Sequence, residues 1–167
     1  MLTIEQAVGA LCTHLEAERA SLEQLYYLLE HELEALRAMN RERLAELNQY
    51  KLQILASHQE LVAVRAHYLS PFTPPTGQTP TLTYICHHLP PELRAYVQPY
   101  QEALKSLALG IKSSQARNQE FARNAQQIIR ATRKRLEDTD PEHQRKTYGA
   151  KGKMNIQVPR GRGYGKG

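Results

Sequence analysis

The chain has 167 residues, two phenylalanines and no tryptophan, which allows one domain and excludes a deep aromatic core. No apolar run approaches the roughly 18–20 residues that a bilayer crossing needs, and Glu5 stands where a signal peptide carries positive charge, so a cytoplasmic protein is expected. The net charge of +5 is unevenly placed: residues 145–167 hold seven Lys and Arg and no acid, leaving the rest of the chain at −2. This is a mildly acidic body with a basic arm, not a basic surface tracking nucleic acid.

From Ala10 to Ser70 there is no glycine or proline, and the run is rich in Leu, Glu, Ala, Gln and Arg, which predicts one very long helix. At roughly 1.5 Å per residue it spans about 90 Å. A rod of that kind leaves no enclosed pocket and argues against an enzyme. Leu22, Leu25, Leu29, Leu33, Leu36, Asn40, Leu44, Leu47, Lys51, Ile54, His58 and Leu61 recur at steps of three and four, a period between a straight helix and a tight coiled coil. One apolar face requires at least one partner helix.

Six of the nine prolines fall between residues 71 and 91 and mark the connection to that partner. Within it Thr81 is placed to cap a short helix whose Leu82, Ile85 and Leu89 share a face, a lid for the open end of the hairpin. The second long helix is predicted from about Pro91 to about Asp138, with Leu93, Tyr96, Tyr100, Leu104, Leu107, Ile111, Ser114, Asn118, Phe121, Ala125, Ile128, Thr132 and Arg135 along its seam. Pro91 suits a first turn, Pro99 should kink or restart the helix, and Asp140-Pro141 provides a stop. The expected fold is therefore all-α. It is an elongated antiparallel hairpin of two long helices with a short third helix in the connection, a body of residues 1–140, and a flexible, basic, Gly-rich tail over 141–167.

Asn40 and Asn118 both occupy otherwise apolar seam positions and, in such a hairpin, fall near one another, which suggests a buried pair fixing register. A second stripe with Tyr26, Ile54 and Val62 leaves two partners open, the lid or a second copy of the chain in a homodimer. Cys12 and Cys86 form no disulfide framework and read as reduced bystanders. Cys86-His87-His88 points its side chains about 100° apart, and His31-Glu32 lacks the second histidine of a zinc helix because residue 35 is Ala. No cofactor or metal is expected.

From Arg145 the chain reads RKTYGAKGKMNIQVPRGRGYGKG, with six of the nine glycines and little helix-forming sequence. Arg160-Gly161-Arg162-Gly163-Tyr164 is compatible with an RNA-touching arginine-glycine segment on a coiled-coil adaptor, the competing reading, or with a solubilising tail. Tyr148, followed by Met154, Ile156 and Val158 at alternate positions, has the form of a docking peptide with an aromatic anchor.

Three segments resemble the FlgN-type flagellar export chaperones: LEALRAMNRERLAELNQYKLQIL at 33–55 with Arg65 beyond it, IKSSQARNQEFARNAQQII at 111–129, and Lys146-Thr147-Tyr148-Gly149-Ala150-Lys151-Gly152-Lys153. The last is similar to the family's Tyr-Gly-x-x-Gly segment, although Lys151 stands where an acidic residue is common. The resemblance implies a cytoplasmic chaperone that binds the C-terminal regions of hook-filament junction proteins, prevents premature assembly and delivers them to the type III export gate. It implies that Tyr148, with Gly149 and Gly152, docks on the cytoplasmic domain of the export-gate membrane protein, and that Phe121, Ile128, Ile129 and Leu136 form the substrate surface. A chaperone for another flagellar subunit shares this architecture. No nucleic acid is expected as a partner.

Overall fold

The computed structural model describes residues 3–75 and 77–139, and the side chains of 3–75 and 77–137. Among these the elements are all helical: α1 (Ile4–Arg37), α2 (Arg41–Leu69), a 3-10 turn (Ser70–Phe72), α3 (Leu82–His88) and α4 (Pro91–Thr139). The chain divides into two compact units, 1–122 and 123–167.

The run from Ala10 to Ser70 is two helices, which corrects the expectation of one. Three hydrogen bonds close α1: Ala38 N–H to Glu34 O at 3.0 Å, Met39 N–H to Leu36 O at 3.1 Å and Asn40 N–H to Ala35 O at 3.0 Å. The last two are the bonds of a Schellman motif, whose left-handed residue is usually glycine. Here it is Met39, at φ 53°. Asn40 then caps α2, its side chain accepting from Arg43 N–H at 3.0 Å. Asn40 is exposed, so it does not pair with Asn118 in a buried seam.

The turn folds α2 back along α1. Lys51 pairs with Glu32 and Arg65 with Glu18, so advancing along α2 means retreating along α1, an antiparallel hairpin. α4 runs parallel to α1: Cys12 meets the Tyr96 carbonyl, Ser114 meets Glu30 and Asn118 meets Glu32. Leu55 of α2 clusters near Ile111 of α4, and Leu69 near Val97, so those two helices are antiparallel, as expected across the proline-rich connection.

The core of the first unit is layered. Val8, Leu11 and Leu15 of α1 pack with Leu69, with Ile85, Cys86 and Leu89 in and beside α3, and with Val97 and Leu104 of α4. Leu25, Leu29 and Ile111 form a second layer, and Leu28, Ala35 and Leu47 a third. Thr81 caps α3, accepting from Tyr84 N–H at 3.1 Å, and Ile85 and Leu89 close the end of the bundle as the periodicity predicts. α4 passes unbroken through Pro99, which stands on its exposed face beside exposed Ala95, where water can satisfy the carbonyl that proline leaves free. The seam is one residue out of phase at its start: Tyr96 is exposed and Val97 is fully buried.

Within the chain, Tyr26 and Ile54 pack on the long helices and not on the lid. A Cβ on Gly110 of α4 would sit 3.2 Å from the Tyr26 ring, and Ile54 packs against the second and third layers. Val62 remains exposed. Burial raises the thiol pKa of Cys12 and Cys86, both free and both in the lid layer, which suits inert packing. His87 points to solvent, and His88 stacks on Tyr84 and bonds the Tyr84 carbonyl, so the Cys-His-His run diverges as helical spacing requires.

Candidate functional site

Two polar clusters hold the helices of the first unit in register. Glu18 on α1 is fully buried, accepting from Arg65 Nε of α2 at 2.7 Å, from Arg65 Nη2, and from His14 Nε2 at 2.8 Å. His14 in turn stacks on Tyr68 with ring centroids 4.4 Å apart. A buried carboxylate needs such partners, because leaving it unpaired in a low-dielectric interior is costly.

The second cluster joins three helices at one carboxylate. Glu32 accepts from Lys51 Nζ of α2 through Oε1 and from Asn118 Nδ2 of α4 at 2.9 Å through Oε2, while Asn118 also donates to the Leu29 carbonyl at 2.8 Å. Two residues before Glu32, Glu30 accepts from Ser114 Oγ at 2.8 Å and Arg117 Nη2 at 2.6 Å. Those two hydrogen bonds hold the Glu30 carboxyl below its ordinary pKa. Asn118 is thus a register residue, with Glu32 and Leu29 as partners instead of Asn40.

The second cluster aligns α4 on α1 within the first unit, and α4 carries the expected substrate residues. In the first unit, Leu104, Ile111, Ser114 and Asn118 are buried and Phe121 is half-buried. In the second, every residue from Gln126 to Glu137 is exposed, including Ile128 at 67%, Ile129 at 52% and Leu136 at 68%. Within the second unit, Ile128, Ile129 and Leu136 fall within one face about 100° wide on a helix of 3.6 residues per turn. A solvated helix end ordinarily presents polar residues around its whole circumference, and an exposed apolar stripe marks an interaction surface. Tyr148, Gly149 and Gly152, the expected gate-docking residues, lie outside the described residues.

Sequence reasoning did not identify Glu18 and His14 as buried polar partners or assign a contact to Arg65. A signal was present: extending the three-and-four stepping outward from Leu22 and Leu61 lands on Glu18 and Arg65, two opposite charges at core positions of the same stripe.

Among the described residues no helix is long and apolar enough to cross a membrane. No curated protein and no solved structure matches the chain. A family model does, that of the FlgN protein, over residues 1–156. With nearly the whole chain matched on an all-helical fold, the protein belongs to the FlgN family of flagellar export chaperones, a chaperone family and not one known for enzymes.

Proposed function

We propose that the protein binds the C-terminal regions of hook-filament junction proteins in the cytoplasm, keeps them from assembling prematurely and delivers them to the type III export gate. The exposed apolar stripe of α4 is the observation that carries this reading. An amphipathic segment laid along Ile128, Ile129 and Leu136 buries apolar area on both partners in the helix-in-groove mode. Because such a segment is ordered only on binding, part of the interaction energy is spent on ordering it, which favours release at the gate.

Tyr148, with Gly149 and Gly152, is the docking element for the cytoplasmic domain of the gate protein, carried on the basic segment after the body. Separating the two contacts lets one partner be held while the other is engaged. No nucleotide, metal or nucleic acid takes part in this mechanism.

Co-purification with both partners tests the proposal. Tyr148→Ala should weaken gate binding and leave the junction-protein complex intact, and Ile128→Asp with Leu136→Asp should do the reverse. Loss of both interactions in either variant, or capture of a different flagellar subunit in place of the junction proteins, contradicts it.

A further inference from the structure

We infer that two copies of this chain exchange α1, with the turn at Ala38–Asn40 straightening so that α1 and α2 form one continuous helix that pairs with its counterpart in the second copy. This is independent of the export reading.

Three observations carry the inference. The turn is closed at conformational cost: Met39 holds a left-handed backbone at φ 53°, which glycine adopts freely and a side chain with a Cβ does not. Nothing in the covalent sequence demands the break, since no glycine or proline occurs from Ala10 to Ser70. A short, strained hinge between a terminal element and its body is the arrangement that favours swapping.

The third observation is symmetry. The ion pairs Glu18 with Arg65 and Glu32 with Lys51 are centred on the same point, between residues 41 and 42. If the helix straightens, the same pairs form between two antiparallel copies about a two-fold axis at that point. The contacts of α1 with α4, among them Asn118 to the Leu29 carbonyl and Ser114 to Glu30, pass unchanged to the partner copy. The side-chain contacts of α1 with α2 and α4 are therefore available in the dimer, and two strained turns become regular helix. Met39, 58% exposed in the closed chain, then lies beside the two-fold axis.

The test is the oligomeric state of the full chain after refolding from urea at low and at high concentration, read by light scattering on a sizing column. A dimer of twice the chain mass should grow with concentration. Met39→Gly relieves the closed turn and weakens the open helix, so it should raise the dimer dissociation constant by about tenfold per hinge, about a hundredfold in all. Asn40→Ala removes a cap that only the closed form uses and should shift the constant the other way.

A charge-reversal pair separates exchange from simple surface contact. Chains carrying Glu32→Lys and chains carrying Lys51→Glu each hold a like-charge clash. Co-refolded, they should prefer the mixed dimer, where both clashes become opposite pairs across copies. A chain that stays monomeric at every concentration, a dimer indifferent to both hinge substitutions, or the absence of a mixed-dimer preference would overturn the inference.

Discussion

Asn118 of α4 donates to the main-chain carbonyl of Leu29 on α1 at 2.8 Å, a bond across 89 residues that locks the offset of two parallel helices. A backbone acceptor cannot change rotamer, and the same amide group reaches the Glu32 carboxylate, so sliding α4 by one residue breaks both bonds. Replacing Asn118 by Ala should lower unfolding stability by about 1–3 kcal/mol in urea titrations, the cost of removing one partner from a buried hydrogen-bonded site. Replacing Asn40 by Leu should cost about 0.5–2 kcal/mol through loss of the α2 cap, without touching the α1–α4 offset, because Asn40 lies at the surface and not in the seam.

Met39 should behave in the opposite direction. Met39→Gly, measured at concentrations where the chain is monomeric, is expected to raise stability by about 0.5–1 kcal/mol, since the left-handed penalty removed exceeds the extra freedom glycine brings to the unfolded chain. Thermal denaturation followed by circular dichroism checks the sign.

The ion pairs should separate sharply by burial. Arg65→Ala strands the fully buried Glu18 carboxylate with His14 alone and is expected to cost about 3 kcal/mol. Arg19→Ala removes two solvent-screened pairs at the surface, to Glu16 and Glu23, and should leave stability nearly unchanged. Similar losses for the two variants would show that Glu18 finds another partner.

The fold was largely legible because its signals are local. Thr81, the proline cluster and the phase of Leu104 and Ile111 act within a turn or two of themselves, and α3 and α4 lie where they point. The hairpin inside the first run was not legible, because the residue at the left-handed position is Met39, where the usual signal is glycine. The partners of Asn118 followed from that omission: with α2 folded back, α1 runs parallel to α4 and presents Glu32 and the Leu29 carbonyl instead of Asn40. Of the candidate site, the apolar stripe at Ile128, Ile129 and Leu136 could be read from helical spacing, whereas its exposure is a tertiary property that spacing does not carry.

Acid should weaken the body through His58. Its ring is half-buried on α2, with Nδ1 lacking a hydrogen-bond partner, and burial lowers its pKa; Glu18 opposes that shift and Arg65 adds to it. The unfolded chain therefore binds a proton near pH 6.5 that the folded chain accepts only at lower pH. Between those two values stability falls as pH falls, and the loss levels off below the folded value. His58→Gln should flatten the dependence of the melting temperature on pH below about 6.5.

Whether the exposed face of α4 carries the cargo is decided by calorimetry of the full chain with the C-terminal region of a hook-filament junction protein. Saturable binding with a negative heat-capacity change is expected. Ile128→Asp combined with Leu136→Asp should lower the affinity by about a hundredfold or more, two side chains each contributing about 1.5–3 kcal/mol when buried, with helix content unchanged. Undiminished affinity in that variant would place the cargo elsewhere and refute this assignment.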